Sequence, residues 1–193
     1  MAADTLICDR MRIDRNTGVG TVNGIGEVWG MAADTWDGVV AQLGDADWEK
    51  STPCDGWTVR ELVDHAMFWQ GQGASAFGAA AAEGDWPALR ASLRAALDDP
   101  SNMEGKAEQF GGAPMPAVAG LITTDLLVHS WDLAIAIGAD ATLPEAAAES
   151  TLMGLQRLPE QMLRNEQMFG PAIEVDADAS AQDRLIGFVG RQP

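Results

Sequence analysis

The apolar positions along most of the chain recur every three to four residues, a spacing typical of amphipathic α-helices. In the first such segment, residues 27–43, they are Trp29, Ala33, Trp36, Val40 and Leu43. The same spacing continues in residues 58–70, 85–97, 116–137, 144–164 and 180–189. Between these segments we expect a loop over residues 99–114 and a short strand or extended stretch over residues 171–175. The pattern predicts an all-α fold with little or no strand.

Local signals at the ends of these segments support the helix boundaries. Thr58 and Glu61 have the spacing of a capping box, in which each side chain satisfies a backbone amide of the other residue. Gly138 follows the longest apolar segment, at the position where helices commonly end. Pro159 lies within residues 144–164 and should kink or break the last turns of that helix, because proline cannot donate the backbone hydrogen bond.

The first 26 residues differ from the rest of the chain. They are rich in glycine and turn-forming residues, and their glycines do not have the G-x-G-x-x-G spacing of a nucleotide-binding loop. We predict a flexible lead-in over residues 1–26 and a single helical domain over residues 27–193, a length that suits one domain.

The charge of the chain narrows the classes of partner. It has 12 Lys and Arg against 29 Asp and Glu, a formal net charge of -17, which disfavours nucleic acid and anionic lipid surfaces. No continuous apolar run reaches the ~20 residues of a membrane span, and no secretory pattern opens the sequence. We therefore expect a cytoplasmic protein in which Cys8 and Cys54 stay reduced.

The two histidines of the chain suggest a metal site. Asp125 and His129 are four residues apart in the longest helical segment, so both side chains project from one face. His65, in the second segment, could meet them from a neighbouring helix. Three protein ligands leave a fourth position open, as in catalytic zinc sites. Histidines packed in the core, with no metal, are the alternative that spacing leaves open.

Other side chains near these three have weaker assignments. Asp132 shares the face of Asp125 and His129 and is a candidate to orient the imidazole or to bind substrate, although a solvated carboxylate fits the sequence equally well. Trp69 and Trp131 flank the ligands and could line a pocket, as could Trp57, or they could be core residues. Glu61 is assigned to the capping box rather than to a metal.

Cys54 precedes the second helix by four residues. Amides at a helix end can lower the pKa of a thiol, which would make Cys54 reactive. A packed, inert thiol is the favoured interpretation, because both histidines are already assigned to the metal site and free cysteines often behave as small apolar residues.

Three blocks of sequence resemble one family. They are TPCDGWTVRELVDH at residues 52–65, DLLVHSWDLA at residues 125–134 and DRLIGFVGR at residues 183–191. Together they are similar to the DinB/YfiT-like metal-binding superfamily, and specifically to an actinobacterial group that resembles the N-terminal domain of mycothiol-dependent maleylpyruvate isomerase. The resemblance runs from about residue 27 to residue 193.

The resemblance implies a four-helix bundle that holds a divalent metal, typically zinc, through His65, Asp125 and His129. The isomerase itself has glutamate where this chain has the shorter Asp125, and we expect no counterpart of its C-terminal domain in this sequence. The resemblance therefore supports the metal site more strongly than it supports the isomerase reaction.

Two classes of function follow from the resemblance and the candidate ligands. The first is a metal-dependent enzyme, a transferase or isomerase, that activates the thiol of mycothiol toward a small electrophile. The second is a helical bundle that binds a metal or small ligand without catalysis. A relative that has lost the metal, with both histidines in the core, ranks below these.

Overall fold

The computed structural model describes residues 24–79, 84–164, 168–176 and 178–193. Within these ranges the chain forms seven α-helices, which confirms the all-α class. They are α1 (Ile25–Val40), α2 (Val59–Ala76), α3 (Trp86–Asp98), α4 (Met115–Ile137), α5 (Glu145–Leu155), α6 (Glu160–Leu163) and α7 (Ala181–Phe188).

Most of the predicted boundaries are close to the observed ones. Asp85 caps α3 and Ser180 caps α7 through their side chains, and Pro159 separates α5 from α6 at the predicted break. Helix α1 starts at Ile25, two residues before the predicted start of the domain at residue 27. The rest of the predicted lead-in, residues 1–23, lies outside the described residues.

One of the predicted connections differs from the structure. The predicted loop over residues 99–114 contains two short 3-10 turns and a two-stranded antiparallel ribbon, β1 (Lys106–Ala107) and β2 (Ala113–Pro114). Residues 171–175, predicted as a short strand or extended stretch, belong to no strand in the described chain. A ribbon of two residues per strand has too little alternation to be recognised in sequence.

Contacts between α1, α2 and α4 fix the helix that carries most of the candidate ligands. The fully buried Gln70 of α2 accepts a hydrogen bond from Trp29 Nε1 of α1 at 2.9 Å and donates one to the Ile122 carbonyl of α4 at 2.9 Å. Gly73 permits the close approach of α2 to α4, because a β-carbon there would lie 2.7 Å from Ile122 Cδ1. These contacts set the register between α2 and α4.

Around this centre the other helices complete the core. Helix α3 packs against α1 and α2, α5 packs against α1 and α4, and α7 packs against α5. Trp29 and Trp36 of α1 are among the largest fully buried side chains. The apolar spacing within residues 27–43 therefore corresponds to the face of α1 that is buried in the core.

Helix α4 revises the expectation that no segment is apolar and long enough to span a membrane. By length and composition it passes that test, but 67% of its most apolar window is buried inside the protein. The central helix of a folded domain has apolar residues on all sides because other helices cover it.

The Thr58 capping box is present and makes a testable contribution to stability. The Thr58 amide donates to Glu61 Oε2 at 2.8 Å, and the Thr58 side chain accepts from the Glu61 amide. We expect Thr58→Ala to lower the free energy of unfolding by about 1 kcal/mol in urea denaturation. The control is Thr35→Ala, within α1, where alanine is the better helix former. Equal losses in the two variants would contradict this role.

Candidate metal centre

Helices α2 and α4 bring the three predicted ligands together. His65 Nε2 lies 3.0 Å from Asp125 Oδ1, and His129 Nε2 lies 3.5 Å from the same oxygen. One ligand atom from each of the three residues lies within 4.8 Å of the ligand atoms of the other two. The side chains of His65 and Asp125, 60 positions apart in sequence, therefore lie next to each other.

The donor set fits a divalent cation of the zinc type. Two imidazole nitrogens and one carboxylate oxygen are common zinc ligands, with bonds of about 2.1 Å that place tetrahedral ligand atoms about 3.4 Å apart. The observed separations of 3.0 and 3.5 Å from Asp125 Oδ1 bracket that distance. The second oxygen, Asp125 Oδ2, is buried and has no hydrogen-bond partner. A buried carboxylate oxygen without a partner is costly unless a cation or donor completes it.

Asp132 orients the imidazole of His129. Its side chain is fully buried, and Oδ2 lies 2.9 Å from His129 Nδ1. Because an ionised carboxylate only accepts hydrogen bonds, Nδ1 carries the proton in this contact and Nε2 faces Asp125. Metal-bound histidines commonly have this carboxylate contact, which fixes the tautomer and the ring orientation.

Arg191 is the residue near the site to which sequence analysis assigned no role. Its Nε donates to Asp132 Oδ1 at 2.7 Å and its Nη2 donates to Asp132 Oδ2 at 2.8 Å. The preceding Gly190 has φ +83°, and a β-carbon there would lie 3.0 Å from the Pro171 carbonyl. The turn that aims Arg191 at Asp132 thus requires glycine. Arg191 is the last residue of the third resembling block, residues 183–191, and its place in that block was the one feature of the sequence that pointed to it.

These contacts shift the pKa values of the buried groups. Burial opposes protonation of His129, but hydrogen bonds with Asp132 and Cys54 and the charges of Asp125 and Asp132 raise its pKa to about 10. Burial also acts to raise the pKa of Asp132, whereas hydrogen bonds from His129 and Arg191 lower it below its usual value. Without a metal the imidazole of His129 is therefore protonated at neutral pH, and a cation that binds Nε2 displaces that proton.

Cys54 lies behind the imidazole of His129, on the side away from Asp125. Its Sγ lies 3.3 Å from Asp132 Oδ2, 3.5 Å from Arg191 Nη2 and 3.9 Å from His129 Nδ1. Cys54, His129 and Asp132 form a second group with metal-ligand spacing. The guanidinium of Arg191 already supplies the positive charge to this group, and the Nδ1 proton points to Asp132. The first group is therefore the better cation site.

Aromatic side chains cover the histidines from one side. The ring centroid of Trp57 lies 4.6 Å from that of His65 and 6.0 Å from that of His129. Trp69 lies 6.3 Å from His65 and is 36% exposed. Trp131 instead lies in the hydrophobic core, and among the described residues no ring contact joins it to either imidazole. It precedes Asp132 by one residue, so the helix turns it about 100° away from Asp132.

The fold and the site together define a class: an all-α protein whose central helices place two imidazoles and a carboxylate around one point. Comparison with known sequences gives a family match over part of the chain. Residues 29–89 match the family model of the mycothiol maleylpyruvate isomerase N-terminal domain. Over that range, which includes most of α1, all of α2 and His65, the chain is similar to this domain, and the predicted resemblance is confirmed there.

The relatives found have no described function. An uncharacterized protein of Mycobacterium tuberculosis, present in strains H37Rv and CDC 1551, is 29% identical to this chain over 153 residues. The match covers 72% of this chain and 82% of the relative. No solved structure matches the chain.

Proposed function

We propose that this chain binds a divalent cation, most suitably zinc, and uses it to activate the thiol of mycothiol toward a small electrophile. The observation that carries the proposal is the convergence of His65, Asp125 and His129, with the buried Asp125 Oδ2 left without a partner. We choose mycothiol as the thiol because the matching family is named for it. We place the activity in the cytoplasm, where thiols stay reduced.

The protein side chains have separate tasks in this proposal. His65, Asp125 and His129 hold the cation and leave a position open for a further ligand. When bound, the cation lowers the pKa of a coordinated thiol and so supplies a thiolate at neutral pH. Asp132 keeps the Nε2 atom of His129 directed at the site, because it accepts the Nδ1 proton in a buried hydrogen bond, and Arg191 holds Asp132 in place by donating to it.

The rim of the site offers apolar contact to an organic substrate. The ring of Trp57 packs against both imidazoles, with its centroid 4.6 Å from that of His65 and 6.0 Å from that of His129. The ring of Trp69 meets that of Phe68 edge to face at a centroid distance of 5.4 Å and lies tilted against Phe110 at 5.9 Å, and Phe68 is 57% exposed. Exposed aromatic side chains beside a site are suited to bind the carbon skeleton of a ligand.

A thiol-transfer assay tests the catalytic part of the proposal. We expect zinc-loaded protein to accelerate the reaction of mycothiol with a chromogenic electrophile, and we expect Asp125→Ala to abolish the acceleration, since it removes the ligand shared by both histidines. The rate is followed by absorbance as the product forms, with mycothiol and electrophile alone as the blank.

The alternative is a helical bundle that binds metal without catalysis, and the same protein samples distinguish it. Wild-type protein that binds zinc but shows no turnover above Asp125→Ala would favour the binder. Wild-type protein that neither binds zinc nor shows turnover would leave the histidines as core residues and overturn the whole proposal.

A further inference from the structure

Trp69 lies beside the candidate metal centre and is open to solvent. It follows His65 by four residues on α2, so the two side chains are about 40° apart around the helix axis. Their ring centroids are 6.3 Å apart, with the rings edge to face, and Trp69 is 36% exposed. A molecule that reacts at the metal centre can therefore touch the indole of Trp69 at the same time.

Rings from two structural elements hold this indole in place. Phe68 of α2 meets it edge to face at a centroid distance of 5.4 Å, and Phe110 lies tilted against it at 5.9 Å. Phe110 belongs to the 3-10 turn between β1 and β2, and both strands pack against α4. Helix α2 and the ribbon thus set the position of the indole together. A surface that is already ordered loses less entropy when a ligand binds.

The arginines of α2 and of the ligand cluster are already engaged. Arg191 donates from Nε and Nη2 to Asp132 and from Nη1 to the Val189 carbonyl. Arg60, the one cation of α2, faces the carboxylate of Glu49 at 3.4 Å. Neither arginine of this part of the described chain is free to hold an anionic group of a substrate.

Acidic side chains set the sign of the charge around the centre. Asp125 lies within it, and the exposed Asp64 precedes His65 by one residue. The chain as a whole has a formal net charge of -17. A carboxylate at the outer end of a substrate would therefore face groups of like charge, and like charges in contact cost affinity. An uncharged substrate avoids this cost.

We propose that the electrophile of the proposed reaction is an uncharged molecule with an aromatic ring, and that Trp69 binds this ring. Contacts between aromatic rings stabilise a complex beyond the burial of apolar area alone, so an aromatic electrophile is favoured over an aliphatic one of similar size. That the ring belongs to an electrophile rests on the proposed function, whereas the binding of a ring to Trp69 is measurable without turnover.

The addition of a thiol to an enone is a reaction of this kind that balances without a further reactant. The sulfur forms a bond to the β-carbon, and the carbon–carbon double bond opens. The electron pair that it leaves on the α-carbon takes up a proton from water, while the thiol has released its own proton to water. One thiol and one enone thus give one thioether, with no oxidant and no leaving group.

Binding is measured first, with ketones that cannot react in this way. Propiophenone carries a phenyl ring, and 1-cyclohexylpropan-1-one carries a saturated ring of similar size. Each is titrated into the full chain and followed by ¹H–¹⁵N NMR at the indole Nε1–H of Trp69, whose signal is assigned from its loss in Trp69→Leu. We expect saturable shifts and about fivefold tighter binding of the aromatic ketone. A third ketone, 4-propionylbenzoate, should bind more weakly than propiophenone because of its carboxylate.

Three variants assign this preference to Trp69, with binding read at the backbone amides of α2. Trp69→Leu keeps an apolar side chain and should make the two uncharged ketones bind equally. Trp48→Leu is the matched control, because the ring of Trp48 packs under the guanidinium of Arg60, and it should bind as wild type. Lys106→Met removes the cation of the ribbon and should leave the affinity for the carboxylate ketone unchanged.

Turnover with the matching enones then tests the reaction. With zinc-loaded protein and mycothiol, phenyl vinyl ketone should be accelerated about fivefold more than cyclohexyl vinyl ketone, each relative to its rate with mycothiol alone. The loss of enone absorbance gives the rates. Trp69→Leu should make the two accelerations equal.

The two proposals fail in different ways. Ring binding at Trp69 without turnover overturns the proposed function and keeps the ring site. Equal affinities of the two uncharged ketones in wild type, or a preference that survives in a folded Trp69→Leu, overturn the ring site. Tighter binding of the carboxylate ketone, or its loss in Lys106→Met, overturns the uncharged substrate. Circular dichroism checks the folding of each variant, and the wild-type comparison of the ketones decides the ring preference even where Trp69→Leu does not fold.

Discussion

Asp125→Asn is expected to lower the affinity of this protein for zinc by more than about 100-fold, beyond the 10- to 100-fold loss typical of residues that only support a ligand. Both imidazoles approach the same atom, Asp125 Oδ1, so the negative charge of Asp125 lies at the middle of the three ligands. Asparagine keeps the shape but removes that charge. The affinity is measured by competition against a chromogenic zinc chelator.

The neighbouring acid Asp64 supplies the matched control. It precedes His65 by one residue and is exposed on α2, so Asp64→Asn removes the same charge from the same region without touching the centre. We expect its zinc affinity to stay within twofold of wild type. His65→Ala and His129→Ala should each resemble Asp125→Asn. Zinc affinity that is equal in Asp64→Asn and Asp125→Asn would mean that the metal binds elsewhere.

Arg191→Met is expected to lower the free energy of unfolding by about 3 kcal/mol, the cost of leaving a buried charge without its partner. Asp132 is fully buried, and Arg191 makes two hydrogen bonds to it. Methionine fills similar space but donates nothing, so the carboxylate keeps only His129 and Cys54 as partners. Urea denaturation of the zinc-free protein measures the loss.

A double variant separates the buried charge from the packing of the arginine stem. Adding Asp132→Asn to Arg191→Met removes the unpaired charge, and we expect most of the lost stability to return. Arg184→Met, at an exposed arginine of α7, should cost little. In addition, Arg191→Met should weaken zinc binding by about 10- to 100-fold, because Asp132 no longer holds His129 in place. A stable Arg191→Met with unchanged zinc affinity would remove Arg191 from the site.

Much of the secondary structure could be predicted from residue patterns alone. The capping box at Thr58, the break at Pro159 and the glycine after α4 each act through backbone groups within four residues, so their effect does not depend on the rest of the fold. The pairing of Asp125 with His129 is equally local, because one turn of a helix places them side by side.

Two assignments show where local patterns reach their limit. Trp131 flanks the ligands in sequence but is buried in the core, whereas Trp57, outside the helices, covers both imidazoles. Arg191 is 59 residues from Asp132, and nothing in the spacing of either residue indicates their contact. Side chains from separate elements meet only when the elements pack, and that packing is decided by many contacts at once.

The sequence by itself determined which segments are helical and that one turn of α4 presents a carboxylate and an imidazole together, because these properties depend on neighbours within a few residues. Only the tertiary structure decided that His65 reaches Asp125 and that Arg191 neutralises Asp132. Each of these depends on how closely whole helices approach, as Gly73 permits between α2 and α4.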